Sequence, residues 1–296
     1  MRNGQVSIAQ VGVVGAGFMG TGIAESTARA AIPVVLYEPD AAQLVRSRER
    51  LDTSLDRALI AGKLESADAA ELRDRVSWTT DLDALAGCEL VIEAIVEDQA
   101  IKAAVFARLD ELLDEDALIA SNTSSIPIAQ LASATTRRER VLGLHFFSPV
   151  PVMKLVEVVV GLETSPEAVE RAEAFAYLIG KHPIRTKDRA GFIVNSLLVP
   201  YLMTAVRMYE EGFAAREDID AGMKLGAGHP MGPLTLCDFI GLDVLSAVCD
   251  SLYEEFKRPE YAPPPLLKRM VVSGLLGRKS GRGFYEYAPA PARATA

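Results

Sequence analysis

Residues 8–38 read IAQVGVVGAGFMGTGIAESTARAAIPVVLYE, and their order decides the fold. An apolar run at 8–14 predicts a strand. Gly15, Gly17 and Gly20 follow it at G-x-G-x-x-G spacing. A helical pattern then runs through TGIAESTARA, and VVLY at 34–37 predicts a second strand ending at Glu38. Together these form a βαβ unit. Glycines at this spacing allow a tight turn, close approach of the backbone to a pyrophosphate, and close helix–strand packing. The helix N-terminus offers amide donors and a partial positive charge to phosphates. Glu38, 18 residues after Gly20, stands where an acid accepts hydrogen bonds from the adenosine ribose and repels a 2′-phosphate. The unit therefore predicts binding of NAD in preference to NADP.

Outward from this unit, ELVIEAI (89–95) and ALIA (117–120) predict further parallel strands, separated by a helix through IKAAVFARLDELL. Each ends in polar residues: Glu97 after the first, SNTSS (121–125) after the second. Open α/β sheets bind ligands at the carboxyl ends of their strands, so Glu97, Asn122 and Ser124 are expected on the nicotinamide side of the cofactor. An N-capping role for this Ser/Thr cluster is the competing reading. Residues 41–75 predict a helical hairpin turning near Gly62, an insertion beyond an ordinary crossover. Its first half carries Arg46, Arg48, Arg50, Arg57 and Lys63 against Glu49, Asp52 and Asp56, a net +2 in an acidic chain. Both a solvated helix face and a patch for an anionic substrate handle fit that charge. From Gly191 onward only helical patterns follow. The expectation is thus an α/β chain: a Rossmann-type domain over 1–188 with the hairpin insertion, an all-helical domain over 189–287, and a disordered Ala/Pro-rich tail over 288–296. Asn195 interrupts an otherwise apolar helix, as a satisfied core amide or as an active-site donor.

VLGLHFF (141–147) and KLVEVVV (154–160) predict a hairpin around the turn that carries Pro149 and Pro151. Centred near Pro151, it sets His145 directly opposite Glu157, within reach of a cross-strand pair. A carboxylate beside an imidazole fixes its tautomer and stabilises the imidazolium, as a general base near neutral pH requires. A structural salt bridge in a strand accounts for the same pairing.

The bulk numbers exclude several classes. The 296 residues are 49% apolar and 24% charged, with a formal charge of −9, which speaks against a nucleic-acid partner. No apolar run reaches the roughly 18 residues of a membrane span, and the N-terminus lacks a signal-peptide core. Cys88, Cys237 and Cys249 have no metal spacing, and with three His no metal site is expected. A reduced, cytoplasmic chain follows from these features.

VGVVGAGFMGTGIA, SNTSSIPI, LGLHFFSPVPVMKLVEVV, GFIVNSLL, HPMGPLTLCDFIGLD and GRKSGRGFYEY together resemble the 3-hydroxyacyl-CoA dehydrogenase family, over residues 8–287 and in its short 3-hydroxybutyryl-CoA type. The resemblance implies NAD-dependent interconversion of (S)-3-hydroxyacyl-CoA and 3-oxoacyl-CoA, with a homodimer formed through the helical domain. It implies His145 as general base, Glu157 as its partner, and Ser124 and Asn195 at the reacting oxygen. Cofactor contacts would be Gly15, Gly17, Gly20, Glu38, Glu97, Lys102, Asn122, Ser148 and Lys279. Coenzyme A would lie against the insertion, with roles for Ser54, Lys63 and Ser124. The chain departs from the family pattern at Glu38, often Asp, and at Ser148, commonly Asn. A dehydrogenase of free hydroxy acids or sugar acids, and a non-catalytic dinucleotide-binding protein, are the alternatives.

Overall fold

The computed structural model describes residues 8–287. The expected tail at 288–296 lies outside them. The chain divides into two compact units, Met1–Arg189 and Ala190–Ala296.

In the first unit, β1 (Val11–Val14), α1 (Phe18–Arg29) and β2 (Val34–Tyr37) form the predicted βαβ motif. The insertion is α2 (Ala41–Ile60) and α3 (Ser66–Asp74), leading to β3 (Val76–Thr79). Then come β4 (Leu90–Glu93), α4 (Gln99–Leu112), β5 (Leu118–Ser121), α5 (Ile128–Ala132), β6 (Val141–Phe146), β7 (Leu155–Val160), α6 (Pro166–Leu178) and β8 (His182–Lys187). These strands make one sheet in the order β3-β2-β1-β4-β5-β6-β7-β8. Every pair is parallel except the β6–β7 hairpin.

The central strands VGVV, LVIE and LIAS are buried along their whole length, as parallel strands covered on both faces must be. Side-chain caps start the helices around them. Asp40 accepts from the Ala42 amide at 2.9 Å, and Asp98 from Ile101 at 2.9 Å. Ser165 accepts from Ala168 at 3.1 Å, with Pro166 in the first turn of α6. Helix α1 is different. It begins at Gly17 with no side-chain cap, so its first-turn amides are left for another acceptor. Helix α2 packs on α1 and buries Leu44, Ser47, Leu51 and Leu55, a stripe at helical spacing. Each buried leucine of that stripe stabilises by about 1.5–3 kcal/mol. Strand β8 was not legible from sequence: it contains Pro183, tolerated because the strand is an edge and needs partners on one side only.

The second unit is helical: α7 (Val194–Glu210), α8 (Arg216–Ala221), α9 (Pro233–Ile240), α10 (Leu242–Phe256) and α11 (Pro265–Val272), with one π turn at Gly222–Gly226. Its core gathers Leu202, Met203, Leu234, Leu245, Leu252 and Leu267. Two buried carboxylates organise it. Asp220 accepts from the Leu234 and Thr235 amides at 2.7 and 3.0 Å, capping α9. Asp238 accepts from the Phe284 and Tyr285 amides, both at 2.9 Å, and ties down the GRGFYEY segment. Among the described residues, no helix is long and apolar enough to cross a membrane.

Candidate active site

The glycine-rich turn between β1 and α1 is built by sterics. Gly15 has φ +104°, and a Cβ on it would lie 2.7 Å from the Ala94 carbonyl oxygen. A Cβ on Gly20 would fall 1.8 Å from the Gly15 oxygen, so this glycine sets how closely α1 approaches β1. A Cβ on Gly17 would meet nothing within 4 Å. Its small size serves no internal packing. Open space above Gly17, beside the uncapped amides of α1, fits a pyrophosphate approaching from outside. Glu38, just beyond the end of β2, accepts from the Ala16 amide at 3.0 Å, which draws its carboxylate against the same turn.

At the carboxyl ends of β4 and β5, Glu97 collects the SNTSS loop. Its Oε1 accepts from the Thr123 hydroxyl (2.6 Å), the Ser124 amide (3.0 Å) and the Ser125 hydroxyl (3.2 Å), and lies 3.4 Å from the Ser124 hydroxyl. Its Oε2 pairs with the Lys102 ammonium at 3.2 Å. Burial works to raise the Glu97 pKa, but Lys102 and the bonds from Thr123 and Ser124 outweigh it and hold the carboxyl below its ordinary value. Asn122 is fixed between strands: its amide donates to the Glu93 carbonyl (2.8 Å), and its Oδ1 accepts from the Phe146 amide (2.9 Å).

That last bond joins the loop to the β6–β7 hairpin, whose register is the one read from the sequence: His145 faces Glu157. The Nδ1–Oε2 distance is 2.7 Å, with Glu157 fully buried and His145 at 7% exposure. An ionised carboxylate only accepts, so a bond to it is donated by Nδ1. The Phe147 ring lies 4.6 Å away, centroid to centroid.

A cleft of about 490 Å³ opens between α1, α2 and the turn after β6, lined by Phe18, Gly22, Glu25, Arg50, Ser54 and Val150 among others. Ser54 donates to the buried Glu25 at 2.9 Å, and Glu25 also pairs with Arg29 at 2.7 Å. Arg50 donates to the Ala16 carbonyl at 3.0 Å, linking the insertion to the glycine-rich turn. Lys181 reaches under the turn from the start of β8 and donates to the Val150 and Met153 carbonyls. Burial lowers its pKa, against the opposing pull of Glu25.

The first unit thus gathers His145 with Glu157, Glu97 with Ser124 and Lys102, Asn122 with the end of β6, and Glu38 with the glycine-rich turn. It leaves Lys63 exposed in the α2–α3 connection and Ser148 exposed after β6. Asn195 and Lys279 belong to the second unit. Asn195 is the second residue of α7 and half-buried, and Lys279 donates to Asp243 at 2.6 Å. Sequence reasoning missed Glu93, Glu25 and Lys181. Glu93 had a signal, an acid closing an otherwise apolar strand at its carboxyl end. Lys181 had none, since the carbonyls it meets lie 31 and 28 residues away, and Glu25 showed only its local pairing with Arg29 and not the contact from Ser54.

Comparison with known proteins finds relatives over nearly the whole chain. Residues 10–189 match the family profile described as 3-hydroxyacyl-CoA dehydrogenase, NAD binding domain, and residues 191–287 match the C-terminal domain of the same family. A 3-hydroxybutyryl-CoA dehydrogenase of Mycobacterium tuberculosis is 53% identical over 283 residues, 95% of this chain and 99% of the relative. The crystal structure of M. tuberculosis FadB2 superimposes with a TM-score of 0.94 at 54% identity, covering 95% of this chain and 100% of that one. (S)-3-hydroxybutyryl-CoA dehydrogenase PaaH1 from Ralstonia eutropha gives 0.91 at 44% identity, covering 96% and 100%. With its NAD-binding α/β domain and helical C-terminal domain both matched, the chain belongs to the 3-hydroxyacyl-CoA dehydrogenase family of NAD-dependent oxidoreductases.

Proposed function

We propose that the preferred substrate is a short (S)-3-hydroxyacyl-CoA, 3-hydroxybutyryl-CoA foremost, oxidised to the 3-oxoacyl-CoA and formed again in the reverse reaction. The observation that carries the reading is the buried His145–Glu157 bond of 2.7 Å, set beside the SNTSS loop through Asn122 and Phe146.

In oxidation, His145 Nε2 takes the proton of the 3-hydroxyl. When bound, NAD supplies a nicotinamide ring that accepts hydride from C3. Glu157 stabilises the imidazolium that forms, and acid–base groups of this kind contribute about 10²–10⁴ in rate. Ser124 holds the reacting oxygen and polarises it as it becomes carbonyl-like. In reduction, protonated His145 is the acid. Gly15, Gly17, Gly20 and Glu38 hold the adenosine diphosphate end of the cofactor, while Glu97, Lys102, Asn122 and Ser148 serve its other end. Ser54 lines the cleft on the insertion, which with Lys63 would take the coenzyme A handle. A homodimer through the helical unit completes the assembly, with exposed Leu197, Phe213 and Leu225 as apolar surface for it. A monomeric mass by light scattering would remove that part alone. Three buried thiols fit a cytoplasmic enzyme.

The test is NADH oxidation with acetoacetyl-CoA beside free acetoacetate. Fast turnover of the thioester only is expected. Equal turnover of the free acid would move the assignment to hydroxy acids and leave the insertion without its role.

A further inference from the structure

Glu93 and Lys102 form the most deeply buried ion pair among the described residues, at 0% and 1% exposure with Oε1 and Nζ 2.6 Å apart. Glu93 Oε1 also accepts from the Ile95 amide at 2.7 Å, and Oε2 from the Ser121 hydroxyl at 2.6 Å. Lys102 reaches on to Glu97 Oε2 at 3.2 Å. One ammonium therefore serves two carboxylates, a surplus of one negative charge (+1 − 2 = −1). The trio stands at a functional edge: Glu93 is the last residue of β4, and Ser121, which bonds it, is the last of β5.

Stability does not account for this arrangement. Burying an ion pair seldom improves on apolar packing of the same volume. Hydrogen bonding does not require the charge either, since a glutamine carbonyl at position 93 would accept from Lys102 and Ile95. What a neutral residue would not supply is the surplus charge. The two forms of a nicotinamide cofactor differ by one positive charge on the ring, cationic when oxidised and neutral when reduced. In a partly desolvated site that difference is felt strongly.

We infer that the Glu93–Lys102–Glu97 trio biases the site toward the oxidised cofactor, its surplus negative charge favouring the cationic ring over the neutral one. The inference rests on the reading that the ring lies at the carboxyl ends of β4 and β5. Glu93 acts through Lys102 and Glu97 and is a positioning residue. It sets the charge of the edge without touching the ring.

The test measures dissociation constants for NAD⁺ and for NADH by calorimetry, without acyl-CoA, on wild type, Glu93→Gln and Glu97→Gln. Each substitution removes one negative charge. Each is expected to weaken NAD⁺ relative to NADH by about three- to tenfold, the size of one unit charge felt across about 10 Å of mixed protein and solvent. Glu97→Gln, at a partly exposed position, carries the test by itself if Glu93→Gln fails to fold. A ratio unchanged from wild type overturns the inference, as does equal weakening of both forms, which marks a structural role. In those cases wild type still binds cofactor and reduces acetoacetyl-CoA, so the proposed function stands. Wild type that binds cofactor but turns over no thioester counts against the function alone.

Discussion

The bond between His145 Nδ1 and Glu157 Oε2 gives the imidazole both a fixed tautomer and a counter-ion. His145→Ala removes the proposed base, and Glu157→Gln keeps the shape while removing its proposed counter-ion. Each is expected to lower kcat by about tenfold or more with NADH binding near wild type, because the interaction strengthens only in the transition state. Wild-type kcat in His145→Ala would sink the mechanism. Glu38 works through a different partner. It accepts from the Ala16 amide and faces the turn, so Glu38→Ala should weaken NAD binding and narrow the preference over NADP. An unchanged preference would assign that role to another side chain. The His145–Glu157 pair was legible because the side-chain period of a strand is two, and a hairpin's centre fixes which residues face. Glu93 showed only as an acid closing an apolar strand, because the Lys102 and Ser121 groups that meet its carboxylate lie 9 and 28 residues away. Sequence spacing shows which residues share an element, and only the folded sheet shows which charges meet across it.

Among the elements, the glycine-rich turn separates packing from ligand approach. Gly20→Ala places a Cβ against the Gly15 carbonyl and must push α1 off the sheet. A loss of about 1–3 kcal/mol or more is expected, read as a fall in Tm. Gly17→Ala meets no protein atom and should leave Tm unchanged while weakening NADH binding, measured by calorimetry. A Tm loss at Gly17 equal to that at Gly20 would deny the distinction. The SNTSS loop makes a prediction in pH. The folded-state pKa of Glu97 lies below its ordinary 4.5. The stabilisation its bonds provide is therefore complete above that ordinary value and is lost as pH falls through the folded one. Amide exchange at Ser124, corrected for its intrinsic rate, should be slow above the ordinary carboxyl range and quicken as pH falls below it. No change across that range would mean that Glu97 does not hold the loop. The βαβ unit and the insertion were plain in the sequence, since glycine spacing and helical period are local signals. Strands β3 and β8 were not. VSWT buries only Val76, and HPIRTK carries a proline and alternates only weakly, so each is a strand only because a neighbouring strand pairs with it.

At the scale of the whole molecule, each unit has its own core and its own cysteines: Cys88 in the first, Cys237 and Cys249 in the second. Burial pushes the Cys88 and Cys249 thiols up to about 12, and that of Cys237 well above its ordinary value. Thiolate is the reactive species, so a thiol reagent at neutral pH should modify none of the three in native protein within minutes and all three after denaturation. Fast native labelling of one cysteine would report local opening of the unit that holds it. The division into an α/β half and a helical half was visible as a composition shift near Lys187–Arg189, with only helical patterns from Gly191 onward. The charge network at the carboxyl ends of β4 and β5 was not, because it is assembled from two strands, the loop after β4 and a helix. The hairpin of β6 and β7 also shapes how this chain is able to vary over generations. His145 and Glu157 meet because their positions are mirrored about the turn, and Lys181 grips that turn from beneath. Losing one residue between them would slide a different side chain under the imidazole. Lineages descending from this chain are thus held to the number of residues 148–153, and His145 with Glu157 passes down as a single heritable character.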